Sequence, residues 1–148
     1  IAVDFDEVKL SVARRACADP ARVKFESGDI RAWNAPKADV VLLLDVLHYW
    51  QPDQQAEILS RARGLLRPGG KLALREGISG IHAAGQRVVA FWESFALATG
   101  HNRSGDDLHY PSMAELDSAL RSAGFTSPII RPGGGLGANR LFVSESLH

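Results

Sequence analysis

Val40–Trp50, VVLLLDVLHYW, is the stretch whose reading decides the fold. Its first five residues, Val40 to Leu44, form an uninterrupted apolar run, the pattern of a strand buried on both faces of a parallel sheet. Asp45 ends the run, and His48, Tyr49 and Trp50 follow in quick succession. In open α/β sheets, ligands sit just beyond the carboxyl ends of the strands. A carboxylate, an imidazole, a phenol and an indole gathered at such an end point to a site rather than to a core.

Working outward, strands and helices alternate on both sides of this run. Ile1–Val3 reads as a short strand ending at Asp4. Asp6 caps a helix expected from about Glu7 to Ala18, with Val8, Val12, Ala13, Ala16 and Cys17 on one face, and Asp19-Pro20 stops it. Arg22–Glu26 alternates as a strand does, and Ser27-Gly28-Asp29 turns out of it. On the other side, Pro52-Asp53 opens a helix with the stripe Ile58, Leu59, Ala62, Leu65 and Leu66. Pro68-Gly69-Gly70 is expected to end that helix, leaving Lys71–Arg75 as a strand with Glu76 at its tip. This alternation predicts an α/β fold with a mostly parallel, doubly wound sheet.

The pattern then changes. His82–Ala98 reads as a long helix with Val88, Phe91, Trp92, Phe95 and Ala98 on one side, followed by the polar loop Gly100–Tyr110. Ser112-Met113-Ala114-Glu115 is a capping box for a helix with Leu116, Leu120 and Ala123 inward, ended by Gly124. Two last strands, about Ser127–Arg131 and Arg140–Ser144, flank the glycine cluster Gly133–Gly137. No helix follows that cluster, so it reads as a hairpin loop rather than a dinucleotide fingerprint.

Bulk properties narrow the function. The 148 residues suit a single domain, and Lys+Arg and Asp+Glu are equal at 17 each, which gives no overall field favouring nucleic acid. No apolar run has the length of a membrane span. One cysteine, Cys17, rules out an internal disulfide and fits a reducing, cytoplasmic setting. No metal-ligand set stands out. The chain begins Ile1-Ala2-Val3-Asp4 in mid-strand without an initiator methionine, so the expectation is a domain whose first segment is absent.

Asp4, Asp29 and Asp45 each fall where a strand-like run ends, and acids on neighbouring strand tips can reach one ligand. A carboxylate at Asp4 suits a ribose diol, because it accepts two hydroxyl hydrogen bonds. Phe5 beside it can pack on a purine face, and Asp29 can accept from an exocyclic amine. The alternative for each acid taken singly is a helix or turn cap.

The segments VDFDE (3–7), FESGDI (25–30), ADVVLLLDVLHYW (38–50) and LLRPGGKLALREG (65–77) occur in that order. With AGF (123–125) and NRLFVSE (139–145), the chain resembles the class I S-adenosylmethionine-dependent methyltransferases along almost its whole length. The resemblance implies a Rossmann-like sheet with an antiparallel C-terminal strand pair and S-adenosyl-L-methionine as cofactor. It implies Asp4 on the ribose hydroxyls, Phe5 against the adenine, Gly28, Asp29 and Ile30 around the adenine edge, and Asp45 near the methionine part. The family's glycine-rich loop and first strand have no counterpart here. Leu47-His48-Tyr49-Trp50 is also similar to the His-Asp-Trp run of small-molecule O-methyltransferases, with Tyr49 in place of the Asp. That similarity implies His48 as the general base taking the acceptor hydroxyl's proton, a task a neutral imidazole can perform.

Around His48, the candidates for acceptor binding are Tyr49, Trp50, Glu76, Trp92, His109 and Tyr110. Residues 77–111 form the segment expected to recognise the acceptor. The aromatic side Phe91, Trp92 and Phe95 suits an apolar or aromatic small molecule, with core packing and a homodimer contact as the other readings. The expected function is methyl transfer to such an acceptor, O-methylation preferred. Against it stand N- or C-methylation on the same fold, a non-catalytic methyltransferase-like partner module, and a nicotinamide-dependent oxidoreductase. The last lacks a downstream Tyr-x-x-x-Lys signature.

Overall fold

A computed structural model describes residues 1–80, 108–132 and 139–147. The helix expected over His82–Ala98, most of the polar loop after it, Trp92 and the cluster Gly133–Gly137 lie outside the described residues. The chain divides into two compact units, Ile1–Pro36 and Lys37–His148.

In the first unit, β1 (Ala2–Asp4) and β2 (Phe25–Ser27) pair in parallel, with Ala2 opposite Phe25 and Asp4 opposite Ser27. Between them runs α1 (Glu7–Ala16). The Asp6 carboxylate accepts the N–H groups of Val8 and Lys9 at 2.8 and 3.3 Å, which satisfies donors that an uncapped first turn leaves orphaned. Glu7 in the first turn and Arg14 and Arg15 in the last complement the helix dipole. The expected inward face is corrected. Val8 and Val12 are 73% and 52% exposed, whereas Leu10 is buried, with Ala13 and Cys17 half-buried on its side. One leucine with small neighbours at helical spacing sets the rotation, because it hides more apolar surface than either valine.

The second unit holds β3 (Ala38–Leu44), a 3-10 turn (Leu47–Tyr49), α2 (Pro52–Leu65), β4 (Leu66–Gly77), α3 (Met113–Ser122), β5 (Ile129–Pro132) and β6 (Asn139–Glu145). The sheet order is β3-β4-β6-β5; β3 and β4 are parallel, and β6 is antiparallel to both of its neighbours. The antiparallel ending is as expected from the sequence. β4 starts earlier than expected. Ala38 pairs with Leu66 and Val40 with Lys71, so Pro68-Gly69-Gly70 is taken up as a bulge inside the strand rather than as a helix stop. Gly69, at φ 74, supplies the left-handed residue this needs, and Pro68 has no N–H to contribute to a regular ladder.

The core lies on one face of this sheet. Leu43, Leu74 and Phe142 stand in register across β3, β4 and β6, all 9% exposed or less. Ile58, Leu59 and Ala62 of α2, Leu116 and Leu120 of α3, and Phe125 are buried with them. α2 packs on β3, β4 and the 3-10 turn, and α3 packs on α2. The expectation that Val40–Leu44 is buried on both faces is corrected: Val40, Leu42 and Leu44 are 52%, 61% and 49% exposed. Among the described residues of this unit both helices serve the other face, so alternate side chains of the apolar run have no cover.

The capping box at α3 forms as expected. Ser112 N–H donates to Glu115 at 2.7 Å and the Ser112 hydroxyl accepts from Glu115 N–H at 3.3 Å. The Ser112 backbone N–H first, and its hydroxyl second, hold the Glu115 carboxyl below its ordinary value of 4.5. A folded-state value below the unfolded one means a contribution that is complete above the unfolded value and is lost as pH falls through the folded one. Glu115→Gln is therefore expected to flatten the acid limb of the stability curve below about pH 4.5 relative to wild type, as read by urea unfolding at stepped pH.

Candidate active site

The centre of the second unit's polar chemistry is Glu76, near the end of β4. Its side chain is fully buried, on the face that α2 covers. A buried carboxylate is costly unless charge-assisted hydrogen bonds replace its lost hydration. Here Oε2 accepts Leu47 N–H at 2.8 Å and His48 N–H at 3.4 Å, and Oε1 accepts Gly77 N–H at 2.9 Å. His48 Nδ1 lies 2.5 Å from Oε1. A carboxylate surrounded by donors can only accept, so Nδ1 carries the imidazole hydrogen and Nε2 is the nitrogen with a lone pair for chemistry.

His48 is itself 3% exposed. The Tyr49 ring stands 4.1 Å from it, centroid to centroid, tilted by 47°. Tyr110 stacks on it at 4.9 Å, only 14° from parallel. Gly77 makes room for this ring: a Cβ there would come within 2.9 Å of Tyr110 Cδ1 and Cε1. His109 N–H donates to the His48 carbonyl at 2.8 Å. Glu76, His48, Tyr49 and Tyr110 are thus brought together, with His109 held by its backbone. Trp50 is joined through Gln55, whose amide nitrogen donates to the carbonyls of Leu47, Trp50 and His109 at 3.0, 2.9 and 3.0 Å.

Gln55 was missed from the sequence. Its signal was position: it precedes Ile58, Leu59 and Ala62 by helical steps, so it is a polar residue on the inward stripe of α2. Arg75 was missed as well. Its guanidinium pairs with Asp45, and the Asp45 hydrogen bond and charge push the already high arginine value further up. No sequence signal links these two residues, because only the β3–β4 register makes them neighbours.

The first unit assembles the other candidates. Asp4 and Gly28 meet at the carboxyl ends of β1 and β2, where Gly28 N–H donates to the Asp4 carbonyl at 3.1 Å. Asp4 Oδ1 accepts Asp6 N–H at 2.9 Å, the capping role, and this leaves Oδ2 for a further donor. Phe5 next to it is 56% exposed, an aromatic face presented outward. Asp29 accepts the Arg31 backbone N–H at 2.8 Å, and the Arg31 guanidinium grips both of its oxygens. Trp33, also missed, lies against Gly28, with Cδ1 3.4 Å from where a Cβ would stand, and donates to Glu26 at 2.6 Å. Lys24 first, and Trp33 second, hold the Glu26 carboxyl below its ordinary value. A carboxylate, an outward aromatic ring and a glycine turn at two parallel strand ends fit a nucleoside. Among the described residues no group of three His, Cys, Asp or Glu side chains is placed to hold a metal ion. No described helix is long and apolar enough to cross a membrane.

Comparison with known proteins gives the family and the fold. Residues 1–126 match the O-methyltransferase domain family. Acetylserotonin O-methyltransferase of Mus musculus is 44% identical over 96 residues, which is 65% of this chain and 24% of that protein. The Rattus norvegicus protein of the same name is 32% identical over 115 residues, 76% of this chain and 25% of its own length. The chain therefore spans about a quarter of these relatives. Human N-acetylserotonin methyltransferase, solved in complex with SAM, superposes with a TM-score of 0.72 at 20% identity, covering 99% of this chain and 40% of that one. An O-methyltransferase family 2 protein from Planctomyces limnophilus, in complex with apigenin, gives 0.73 at 24% identity, covering 98% and 42%. At these identities the structural likeness speaks for the fold alone, while the family match covers most of the sequence. The chain belongs to the O-methyltransferase domain family, and its fold is that of the class I S-adenosylmethionine-dependent methyltransferases.

Proposed function

We propose that this chain carries the cofactor-binding and catalytic residues of an S-adenosylmethionine-dependent methyltransferase that methylates a hydroxyl of a small apolar or aromatic molecule. The observation that carries the reading is the buried pair His48–Glu76, 2.5 Å apart beyond the β3 strand end. Bound S-adenosylmethionine supplies a methyl group already activated on a sulfonium. Asp4 and Phe5 would hold its ribose and adenine, with Gly28, Asp29 and Ile30 along the adenine edge and Asp45 beside the methionine portion. Asp29 would share its carboxylate between Arg31 and the adenine amine.

The chain's remaining tasks are alignment and proton removal. Glu76 keeps the hydrogen on His48 Nδ1, and Nε2 takes the acceptor's hydroxyl proton. The resulting imidazolium is stabilised by the same carboxylate and by the faces of Tyr49 and Tyr110. These two rings, with Trp50 and His109, line the acceptor side, and residues 77–111 supply acceptor recognition. N-acetylserotonin and apigenin, named for relatives of this chain, are the acceptors to try first.

Three measurements test the reading on the full-length protein. Calorimetric titration with S-adenosylhomocysteine is expected to show binding that Asp4→Ala weakens by about tenfold, the loss of roughly 1.5 kcal/mol in charge-assisted hydrogen bonding. Absence of binding by the folded full-length protein would overturn the proposal. His48→Gln is expected to lower turnover by about 10²–10⁴-fold while leaving S-adenosylhomocysteine affinity in place. Unchanged turnover would remove His48 as the base and favour N- or C-methylation. Glu76→Gln puts an amide N–H2 among groups that only donate, so it is expected to lower Tm, with a cost of about 1–3 kcal/mol, and to slow turnover.

A further inference from the structure

Asp45 is the one non-glycine residue with positive φ, at 55°, among the described residues. The left-handed region is uncommon for residues with a Cβ, although Asp tolerates it better than most. Such conformations persist where the surroundings over-determine them. Here the surroundings are specific. Asp45 N–H donates to the Arg75 carbonyl at 2.9 Å, the Arg75 guanidinium holds one carboxylate oxygen, and the Asn139 amide reaches the other at 3.5 Å. Arg75 Nε is buried with no acceptor among the described residues, so the guanidinium is placed to serve Asp45 rather than its own full hydrogen-bonding capacity.

Arg75 and Glu76 are consecutive on β4 and therefore point to opposite faces of the sheet. Arg75 grips the first residue of the turn that leaves β3. Glu76 grips its third and fourth residues, Leu47 and His48, and the His48 ring as well. The bend at Asp45 redirects the chain from the strand into the 3-10 turn, so its φ sets where everything up to His48 stands. Relaxation of Asp45 to an extended conformation would pull Leu47 and His48 away from Glu76.

We propose that Asp45 and Arg75 are positioning residues for His48, with Arg75 holding Asp45 in the left-handed conformation that delivers the imidazole to Glu76. Its catalytic consequence rests on the reading of His48 as the base in methyl transfer; the positioning itself does not. The rival is an ordinary ion pair that ties two strands together and has no bearing on His48.

The test reads the ring nitrogens of His48 by NMR in full-length protein labelled with 15N-histidine at neutral pH, with His48→Gln assigning the signal. Wild type is expected to show a protonated Nδ1 and an unprotonated Nε2. Asp45→Ala and Asp45→Gly both remove the carboxylate, but only glycine adopts positive φ without penalty. The expected result is a wild-type nitrogen pattern in Asp45→Gly and a mixture of tautomers in Asp45→Ala. Arg75→Met is expected to give the mixture too, and to add nothing further in the Asp45→Gly background. With an acceptor in hand, Arg75→Met should lower kcat by about tenfold to a hundredfold, the scale of a small displacement of a catalytic group. Identical patterns in the glycine and alanine variants, or an Arg75→Met effect of equal size in both backgrounds, would overturn the proposal. If Arg75→Met does not fold, the glycine–alanine comparison decides alone. If no variant and no wild type transfers methyl groups, the nitrogen pattern still decides the positioning, and the methyltransferase reading fails separately.

Discussion

Much of the second unit is arranged around one carboxylate that is wholly buried. Glu76 accepts from the turn after β3, from its own strand at Gly77 and from an imidazole. The donors from the turn and the imidazole are in reach only because β3 and β4 lie in the register that sets Leu44 opposite Arg75. That register is in turn what places Leu43, Leu74 and Phe142 in one row under α2 and α3. Slipping it by a single residue would turn every one of these side chains to the opposite face. Apolar packing thus supplies the accuracy that a buried, fully hydrogen-bonded carboxylate requires.

The same strand alternation divides the work at β4. Glu76, on the covered face, faces a dry environment in which electrostatic interactions are strong. Arg75, on the open face, is paired with Asp45 while partly solvated, with side chains 43% and 31% exposed. An interaction screened by water contributes little to stability, so the second pair is better understood through geometry than through energy. Gln55 performs a comparable task from α2. One buried amide ties together the turn carbonyls of Leu47 and Trp50 and the chain at His109, groups that are distant in sequence.

Much of this was legible in the residues, and the remainder has a physical reason for being hidden. The apolar run before Asp45, the Ser112–Glu115 box and the antiparallel final strands were readable because each is a local pattern with a local cause. His48 could be picked out because it stands just past an apolar strand run, in a segment similar to the His-Asp-Trp run of small-molecule O-methyltransferases. The rotation of α1 was misread, since valine and leucine are equivalent to periodicity but not to buried area. The glycines after Pro68 were read as a stop because a bulge inside a strand and a turn beside it use the same residues. Coverage of Val40, Leu42 and Leu44 depends on where other elements lie, which a run of apolar letters does not encode. Arg75 and Trp33 act through tertiary neighbours and no spacing rule marks them, whereas Gln55 was marked only by its place on the inward stripe of α2.

Gly77 carries a consequence for how sequences of this kind diversify. A side chain at Gly77 and the ring of Tyr110 would compete for one space, so the two positions are sterically coupled although they are 33 apart in the sequence. A methyl group at the first would press on the ring at the second, so the ring would have to shift or give way to a smaller side chain, at the expense of its stacking on the imidazole.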